Sequence, residues 1–263
     1  MSAPEPAKPS DGVCWLTGAS SGIGEALIAD LVKEGWRIAI SARSEDKLKA
    51  LADQYPGFVF AYPVDSTDDA AVARTVSKIE TDHGPIARAI LNAGVYLSIN
   101  AERPNFDDYA KTFDVNLKGA AACICALTPL MCERRSGQIV IVSSATAFGG
   151  MPTSTAYGAT KAGLLNMAEG LAIELHRYGV HIQCVTPGFV DTPAQDDNDF
   201  PKPFMVSAET AAARICKGMR TTGFEITFPR RFSWALKTIF ALHTDWHIPL
   251  VRQQTSCEQP PHS

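Results

Sequence analysis

Short apolar runs alternate with longer amphipathic stretches along most of the chain. The apolar runs are rich in β-favouring residues, which is typical of strands buried on both faces. The longer stretches repeat apolar residues every three to four positions, as a helix with one buried face requires. The pattern predicts strands at residues 13–17, 37–42, 59–63, 86–92, 138–143, 181–186 and 224–228. It predicts helices at 22–34, 45–54, 68–83, 106–134, 156–178 and 208–219.

Alternating strands and helices predict an α/β fold with a single doubly wound, Rossmann-type parallel sheet and helices on both faces. The 263 residues suffice for one large domain of this kind, which we expect to span residues 12–228. Residues 1–11 are polar and rich in proline, and they predict a disordered lead. Residues 229–263 combine an apolar helical stretch with a polar tail, and we expect them to belong to the same domain.

The composition narrows the classes of function. The net charge of −4 and the pI near 5.9 argue against a nucleic-acid-binding protein. The seven cysteines show no zinc-ligand spacing, and their odd number suits reduced thiols in the cytoplasm. His243 and His247 share a helical face, but no third ligand accompanies them in the sequence, so no metal site is expected.

A glycine-rich turn follows the first predicted strand. It has the spacing Gly-x-x-x-Gly-x-Gly and runs directly into the first amphipathic helix. Glycines let the backbone approach a ligand closely, and a helix N-terminus offers unpaired N–H groups to a phosphate. The alternative is a glycine turn that binds nothing. The strand–turn–helix unit favours a dinucleotide pyrophosphate site made by Gly18, Ser20, Ser21, Gly22, Ile23 and Gly24.

Tyr157 and Lys161 are four residues apart, about one helical turn, and therefore share a helix face. A lysine ammonium beside a phenol favours the phenolate and lowers the tyrosine pKa from roughly 10. Such a tyrosine can donate a proton to a carbonyl or remove one from an alcohol. The alternative interpretation of this spacing is an ordinary pair on a surface helix.

Six motifs in this order resemble those of the short-chain dehydrogenase/reductase family. The resemblance is dense from Val13 to Thr192 and looser to about Phe228. The motifs are Thr17-Gly-Ala-Ser-Ser-Gly-Ile-Gly24, Asn92-Ala-Gly94, Asn116 in Asp-Val-Asn-Leu-Lys-Gly119, Ser144 in Ile-Val-Ser-Ser144-Ala, the Tyr157/Lys161 pair and Pro187-Gly-Phe-Val-Asp-Thr192.

The resemblance implies an oxidoreductase in which a nicotinamide cofactor exchanges hydride with a carbonyl or secondary alcohol. It implies that Ser144 holds the substrate oxygen and that Tyr157 transfers the proton. Lys161 is expected to lower the tyrosine pKa and to hold the cofactor ribose. Asn116 resembles the family residue that holds a water between the lysine and bulk solvent. The same motifs imply further cofactor contacts at Asn92, Gly94, Pro187, Val190 and Thr192.

The end of the second predicted strand bears on the choice of cofactor. NAD-binding proteins usually carry an acidic residue there for the ribose 2′-hydroxyl, but this chain has Ala42 followed by Arg43. Because arginine binds a 2′-phosphate through charge-assisted hydrogen bonds, NADP(H) is the expected cofactor and NAD(H) the alternative. Ser41 is a further candidate phosphate contact. Asp65 matches the family aspartate beside the adenine, although it could equally cap the following helix.

Apolar residues dominate the loops that shape the substrate pocket in this family. Phe148, Met151 and Phe204 are the expected substrate contacts besides Ser144 and Tyr157. These side chains favour a lipophilic carbonyl or alcohol as the substrate. The polar stretch 195–199, which lies between prolines, predicts the tip of a mobile lid.

The C-terminal stretch from Pro229 departs from the common family pattern. Two arginines precede an apolar helix that is too short to span a bilayer. We expect this helix either to pack on the domain or a partner subunit, or to make a weak membrane-surface contact. The resemblance also implies a homodimer or homotetramer formed through the helices near Asp107 and Ala156. A cofactor-binding sensor or scaffold without turnover is the alternative to an enzyme.

Overall fold

The computed structural model describes residues 4–193 and 202–255. Its strands run close to the bounds that the hydrophobic pattern predicts. They are β1 Val13–Thr17, β2 Ile38–Ser41, β3 Val59–Ala61, β4 Ile86–Leu91, β5 Gly137–Val142, β6 Val180–Pro187, β7 Val190–Asp191, β8 Val206–Ser207 and β9 Glu225–Phe228. The helices are α1 Gly22–Lys33, α2 Glu45–Gln54, α3 Asp69–His83, α4 Phe106–Phe113, α5 Gly119–Glu133, α6 Thr155–Leu175, α7 Ala208–Met219, α8 Arg230–Phe240 and α9 Thr244–Gln254.

Seven parallel strands form one sheet in the order β3-β2-β1-β4-β5-β6-β9, and β7 pairs with β8 separately. The order reverses between β1 and β4, and ligands in such sheets bind beyond the strand ends at this switch point. The predicted doubly wound α/β fold is therefore confirmed.

Side chains of each strand alternate between two apolar layers. On one face Cys14 and Leu16 pack with the buried residues of α1, α2 and α7. On the other face Val13 and Trp15 pack with those of α3, α5 and α6. All five residues of β1 are buried, as expected for a strand covered on both faces. This two-sided core holds the carboxyl ends of the strands, and the loops that follow them, at one edge of the sheet.

The long helix predicted over residues 106–134 is interrupted by one π-helical turn, Asp114–Lys118. Such turns insert an extra residue into the helix and re-aim the side chains around it. The buried residue of the turn is Asn116. In the described part of the chain, Phe106–Glu133 is the helical stretch with the length and apolarity to cross a membrane, but Cys123, Leu127 and Met131 place it in the core of the domain.

Residues 4–11 of the N-terminal lead pack on the domain, unlike the disorder expected from their sequence. Residues Pro9–Asp11 form a 3₁₀ turn. The Ala7 N–H donates to Gln138 Oε1 at 3.1 Å, and Arg88 Nη2 donates to the Ala7 carbonyl at 2.7 Å. Since Arg88 and Gln138 are buried in the central strands β4 and β5, the lead is fastened to the middle of the sheet.

Candidate active site

A cavity of about 1410 Å³ opens at the carboxyl edge of the sheet. This volume exceeds the roughly 300–1,000 Å³ of most small-molecule sites, so it has room for a dinucleotide and a second molecule. Sixteen of the predicted site residues line it, in addition to Ser41, the further candidate phosphate contact. They are Gly18, Ser20, Ser21, Gly22, Ile23, Arg43, Asp65, Asn92, Gly94, Ser144, Met151, Tyr157, Lys161, Pro187, Val190 and Thr192.

The glycine-rich turn fits a group that approaches its backbone closely. Gly18 and Gly22 have φ of +65° and +57°, in the left-handed region that favours glycine. A Cβ on Gly24 would lie 2.1 Å from the Gly18 carbonyl oxygen, so Gly24 packs α1 against the turn and does not line the cavity. The Ser21 side chain makes no capping hydrogen bond within the described structure. Ser21, Gly22 and Ile23 line the cavity, so the N-terminus of α1 borders it, as a pyrophosphate site requires.

A hydrogen-bonded link between β1 and β4 holds this turn in place. Asn92 Nδ2 donates to the carbonyls of Thr17 and Gly18 at 3.3 and 3.0 Å. In return, Thr17 Oγ1 accepts the N–H groups of Asn92 and Ala93 at 3.1 and 3.2 Å. Asn92 therefore shapes the cofactor turn as well as lining the cavity. Thr17 was missed as a site residue, because its role depends on the pairing of two strands that are distant in sequence.

Ser144, Tyr157 and Lys161 meet at the centre of the cavity. Lys161 Nζ donates to the Val142 carbonyl at 2.8 Å and lies 5.4 Å from the centroid of the Tyr157 ring. Ser143 Oγ donates to the Lys161 carbonyl at 2.7 Å. The end of β5 and the first turns of α6 are thereby fastened together. The Ser144 hydroxyl also donates a hydrogen bond to the Tyr157 phenol oxygen.

Burial dominates the ionisation of the tyrosine–lysine pair. It raises the pKa of Tyr157 to about 12, with the Ser144 hydrogen bond lowering that pKa and the nearby Tyr96 raising it. Burial also lowers the pKa of Lys161 to about 8. Desolvation therefore outweighs the groups that favour the phenolate, and the expected lowering of the tyrosine pKa by Lys161 stays a prediction.

Asn116 acts on the backbone after β4 and does not line the cavity. Its Oδ1 accepts the Val95 N–H at 2.7 Å, and its Nδ2 donates to the Val95 carbonyl at 2.9 Å. Nδ2 also donates to Thr160 Oγ1 at 3.2 Å. The side-chain amide is thus engaged by protein groups and fixes the backbone after β4, while the predicted catalytic role of Asn116 in holding a water stays a prediction. A Cβ on Gly94 would meet Asn116 Oδ1 at 3.3 Å and Lys161 Nζ at 3.6 Å, so this loop needs its glycine.

The part of the cavity beside the end of β2, where the adenosine end of a dinucleotide is expected, carries two cations. Arg43 and Lys47 both line this part of the cavity. Lys47 lies in the first turns of α2 and was missed by sequence reasoning. Asp65 Oδ1 accepts both the N–H and the hydroxyl of Thr67 at 2.9 Å. These bonds, with Arg43 adding to them, lower the pKa of the Asp65 carboxyl. The helix cap of α3 is Asp68, so Asp65 shapes the preceding turn and borders the cavity.

Ser41 is poorly placed to hold a phosphate, although it lines the cavity. Its side chain is buried, and its Oγ accepts the Trp15 indole N–H at 2.9 Å. Ser20 remains the predicted hydroxyl contact in the glycine-rich turn.

The substrate end differs from the sequence-based expectation. Met151 lines the cavity, but Phe148 and Phe204 do not. The Phe148 ring instead receives Lys237 Nζ at 4.8 Å from its centroid, and Phe204 is 69% exposed. The predicted lid tip, 195–199, lies outside the described residues. Apolar lining that the sequence did not indicate comes from Phe189, Phe232, Leu236, Ile239 and Leu250.

No group of three or more His, Cys, Asp or Glu side chains is arranged to hold a metal ion within residues 4–193 and 202–255. His243 instead pairs with Asp245, with 3.4 Å between Nδ1 and Oδ2. His247 Nδ1 lies 3.0 Å from the Leu242 carbonyl oxygen.

Comparison with known proteins agrees with this geometry. Residues 13–201 match the family model for short chain dehydrogenases. An uncharacterised oxidoreductase of Myxococcus xanthus is 35% identical over 217 residues, covering 81% of this chain and 86% of the relative. A 3-oxoacyl-[acyl-carrier-protein] reductase of Thermotoga maritima is 34% identical over 209 residues, covering 78% and 83% of the two chains. A short-chain dehydrogenase structure from Streptomyces avermitilis aligns with a TM-score of 0.76 at 25% identity, over 95% and 96% of the two chains. The chain belongs to the short-chain dehydrogenase/reductase family of oxidoreductases, whose members bind nicotinamide cofactors.

Proposed function

We propose that the protein is an NADP(H)-linked oxidoreductase that interconverts a lipophilic carbonyl compound and the corresponding secondary alcohol. The observation that carries the proposal is the convergence of Ser144, Tyr157 and Lys161 on the cavity that the glycine-rich turn also borders. A nicotinamide bound there would supply or accept the hydride. The chain's own groups hold the reacting oxygen and handle its proton.

The ionisation of the site suits proton donation. With its pKa near 12, Tyr157 is a neutral phenol at neutral pH and can donate a proton to a carbonyl oxygen that gains hydride. Ser144 orients that oxygen through a hydrogen bond. In the oxidative direction the phenol must first lose its proton, and a positive charge on Lys161 or near the ring eases that loss. The protonated phenol therefore suits the reductive direction, and in the oxidative direction the ammonium of Lys161, which is protonated at neutral pH, favours the phenolate.

The NADP(H) assignment is supported by charge at the adenosine end. Arg43 and Lys47 line the cavity there, and Ala42 stands where an acidic residue would repel a 2′-phosphate. An arginine binds such a phosphate through charge-assisted hydrogen bonds. NAD(H) with the same chemistry is the alternative, and equal efficiency with the two cofactors would favour it.

A lipophilic substrate is supported by the walls that α8 and α9 contribute. Phe232, Leu236, Ile239 and Leu250 offer no charge to a substrate. The Thermotoga maritima relative is named for reducing 3-oxoacyl thioesters, so a β-keto ester with a long alkyl chain belongs in any substrate panel.

The test is nicotinamide absorbance with both cofactors and a panel of ketones, aldehydes and secondary alcohols of increasing chain length. Tyr157→Phe is expected to keep the cofactor dissociation constant within about twofold and to lose roughly 10²- to 10⁴-fold in kcat. Substantial turnover in this variant would rule out the acid/base role. Cofactor binding without turnover by the unaltered chain would favour the sensor or scaffold.

Two surfaces support proposals about partners. Phe106 and Ile173, on the helices expected to form a homodimer or homotetramer, are 81% and 80% exposed, and light scattering would report the assembly.

Trp234 and Trp246 on α8 and α9 are 63% and 69% exposed, beside Arg230 and Arg231. This composition suits a weak contact with an anionic membrane surface. Co-sedimentation with anionic but not neutral vesicles would support that contact, and the cysteine pattern supports a cytoplasmic location.

A further inference from the structure

Helix α8 packs directly on the loop that carries the candidate catalytic serine. Ser144 precedes the 3₁₀ turn Ala145–Phe148, and Gly149 ends it. A Cβ on Gly149 would lie 2.0 Å from Cδ1 of Phe240, the last residue of α8. The Phe240 ring therefore rests on the bare backbone of Gly149, and a larger residue at 149 requires the ring to move.

The same helix is anchored to the sheet. Lys237 pairs with Glu225 on β9, and the other oxygen of that carboxylate accepts the Thr186 hydroxyl of β6 at 2.7 Å. Lys237 Nζ also lies 4.8 Å from the centroid of the Phe148 ring. One side of the serine loop is thus connected, through two adjacent contacts, to the rigid frame of the domain.

We propose that Phe240 is a positioning residue, which holds the Ser144 loop through its contact with Gly149. The Ser144 hydroxyl oxygen accepts the Thr146 N–H at 3.2 Å, so a displacement of the turn moves the hydroxyl that orients the substrate. This inference rests on the proposed function, because it assigns Phe240 a part in the reaction that Ser144 and Tyr157 carry out.

Gly149→Ala is a sharp probe of the contact. Gly149 has φ of 178°, an extended conformation that any residue adopts, so the added methyl group acts through the Phe240 ring and not through backbone strain. We expect kcat to fall about 10- to 100-fold, since small misplacements of a reacting group have effects of this size. The dissociation constant of the cofactor is expected to stay within about twofold. Gly150→Ala is the matched control, because a Cβ there meets no atom within 4 Å, and it should behave as the unaltered chain.

A double-mutant cycle separates positioning from a general structural effect. Phe240→Ala removes the ring that the methyl group would strike, so Gly149→Ala should lose most of its effect on kcat in that background. Effects of the two substitutions that simply multiply would overturn the proposal. So would a loss confined to cofactor affinity or to the thermal midpoint.

Amide hydrogen exchange of the segment 144–149 tests whether the contact between Phe240 and Gly149 holds the loop, and it does so independently of turnover. Both Gly149→Ala and Phe240→Ala should speed exchange there, while Gly150→Ala leaves it unchanged. If the unaltered chain shows no turnover, the proposed function fails, whereas the exchange rates still confirm or refute the contact. Unchanged exchange in both variants would refute it.

Discussion

Lys161 shows how burial can change the protonation of a candidate catalytic side chain. Burial lowers the pKa of its ammonium to about 8, from the ordinary lysine value of 10.5. Between pH 8 and pH 10.5 the Lys161 side chain holds its proton in the unfolded chain but has lost it in the folded chain. The free energy of unfolding therefore rises with pH across this window. Below pH 8 both states are protonated, and the folded state carries the full cost of the buried charge.

This reasoning predicts the pH dependence of a variant. Lys161→Met removes the buried charge. The free energy of unfolding of this variant minus that of the unaltered chain should therefore be largest near pH 7 and fall by roughly 2–3 kcal/mol by pH 10. Urea titrations of both proteins at these two pH values measure the difference. The range stops at pH 10 because Tyr157, whose pKa is raised to about 12, contributes a slope of opposite sign above it. A difference that does not vary with pH would contradict the lowered pKa.

Arg43 is the residue that should decide between the two cofactors. Arg43→Asp replaces a charge-assisted hydrogen bond with repulsion of a 2′-phosphate, and a hydrogen bond to a charged group is worth about 1.5–3 kcal/mol. The ratio of kcat/KM for NADP(H) to that for NAD(H) should therefore fall at least roughly tenfold. Lys47→Ala is a useful companion, because Lys47 lines the same end and its loss should shift the ratio less. An unchanged ratio in Arg43→Asp would reject the NADP(H) assignment.

At the scale of single residues, the sequence predicted the groups whose chemistry a local motif carries. The glycines of the cofactor turn, Ser144, Tyr157 and Lys161 come to the cavity because each follows a strand end or shares a helix turn. Thr17 and Lys47 were missed, since their roles depend on strand pairing and on the course of α2. Phe148 and Phe204 were wrongly assigned, because packing against α8 and exposure of the chain near 204 decide where those rings lie.

At the scale of elements, the largest feature that the sequence did not predict is that α8 and α9 both line the cavity. The hydrophobic pattern indicated an apolar C-terminal helix. The structure divides that stretch into α8 Arg230–Phe240 and α9 Thr244–Gln254 and places both on the cavity. Periodicity shows that a helix has an apolar face, but it does not show what that face covers. The π-helical turn around Asn116 was missed for a related reason, since the surrounding sequence is helical throughout.

The apolar wall formed by α8 leads to a prediction about substrate length. Ile239 lines the cavity and is only half-buried, so Ile239→Ala should disturb the fold little. Loss of about two to three buried methylene-sized groups, each worth about 0.8 kcal/mol, should raise KM for long-chain substrates roughly tenfold or more. Short-chain substrates that do not reach α8 should be unaffected. Thr238→Ala, on the exposed side of the same helix, is the control. Equal effects on long and short substrates would show that the wall does not bind the chain.

At the scale of the whole molecule, the two edges of the sheet carry different tasks. The carboxyl edge holds the cavity, and the opposite half of the sheet holds a buried polar cluster around Arg88. The guanidinium of Arg88 lies 4.4 Å from the centroid of the Trp36 ring. Arg88 Nε donates to Gln138 Oε1 at 2.8 Å. Nη1 makes no hydrogen bond within the described residues but lies 4.0 Å from Glu34 Oε2, and the Ala7 carbonyl accepts from Nη2.

Deletion of residues 1–8 should therefore weaken the fold and leave the chemistry intact. It removes the Ala7 carbonyl, an acceptor for a charged donor, and exposes Arg88 to water that replaces only part of that bond. The expected loss is about 1–2 kcal/mol, or a thermal midpoint lower by roughly 2–8 °C. The kcat and KM of the folded enzyme should match those of the full chain, because the cavity lies at the other edge of the sheet.

Arg88→Met in the deleted chain tests the cause. If the loss comes from the guanidinium that has lost its Ala7 acceptor, this substitution should restore much of the stability, since an apolar side chain of similar length needs no partner. A further loss on substitution would show instead that the cation–π contact with Trp36 carries the stabilisation.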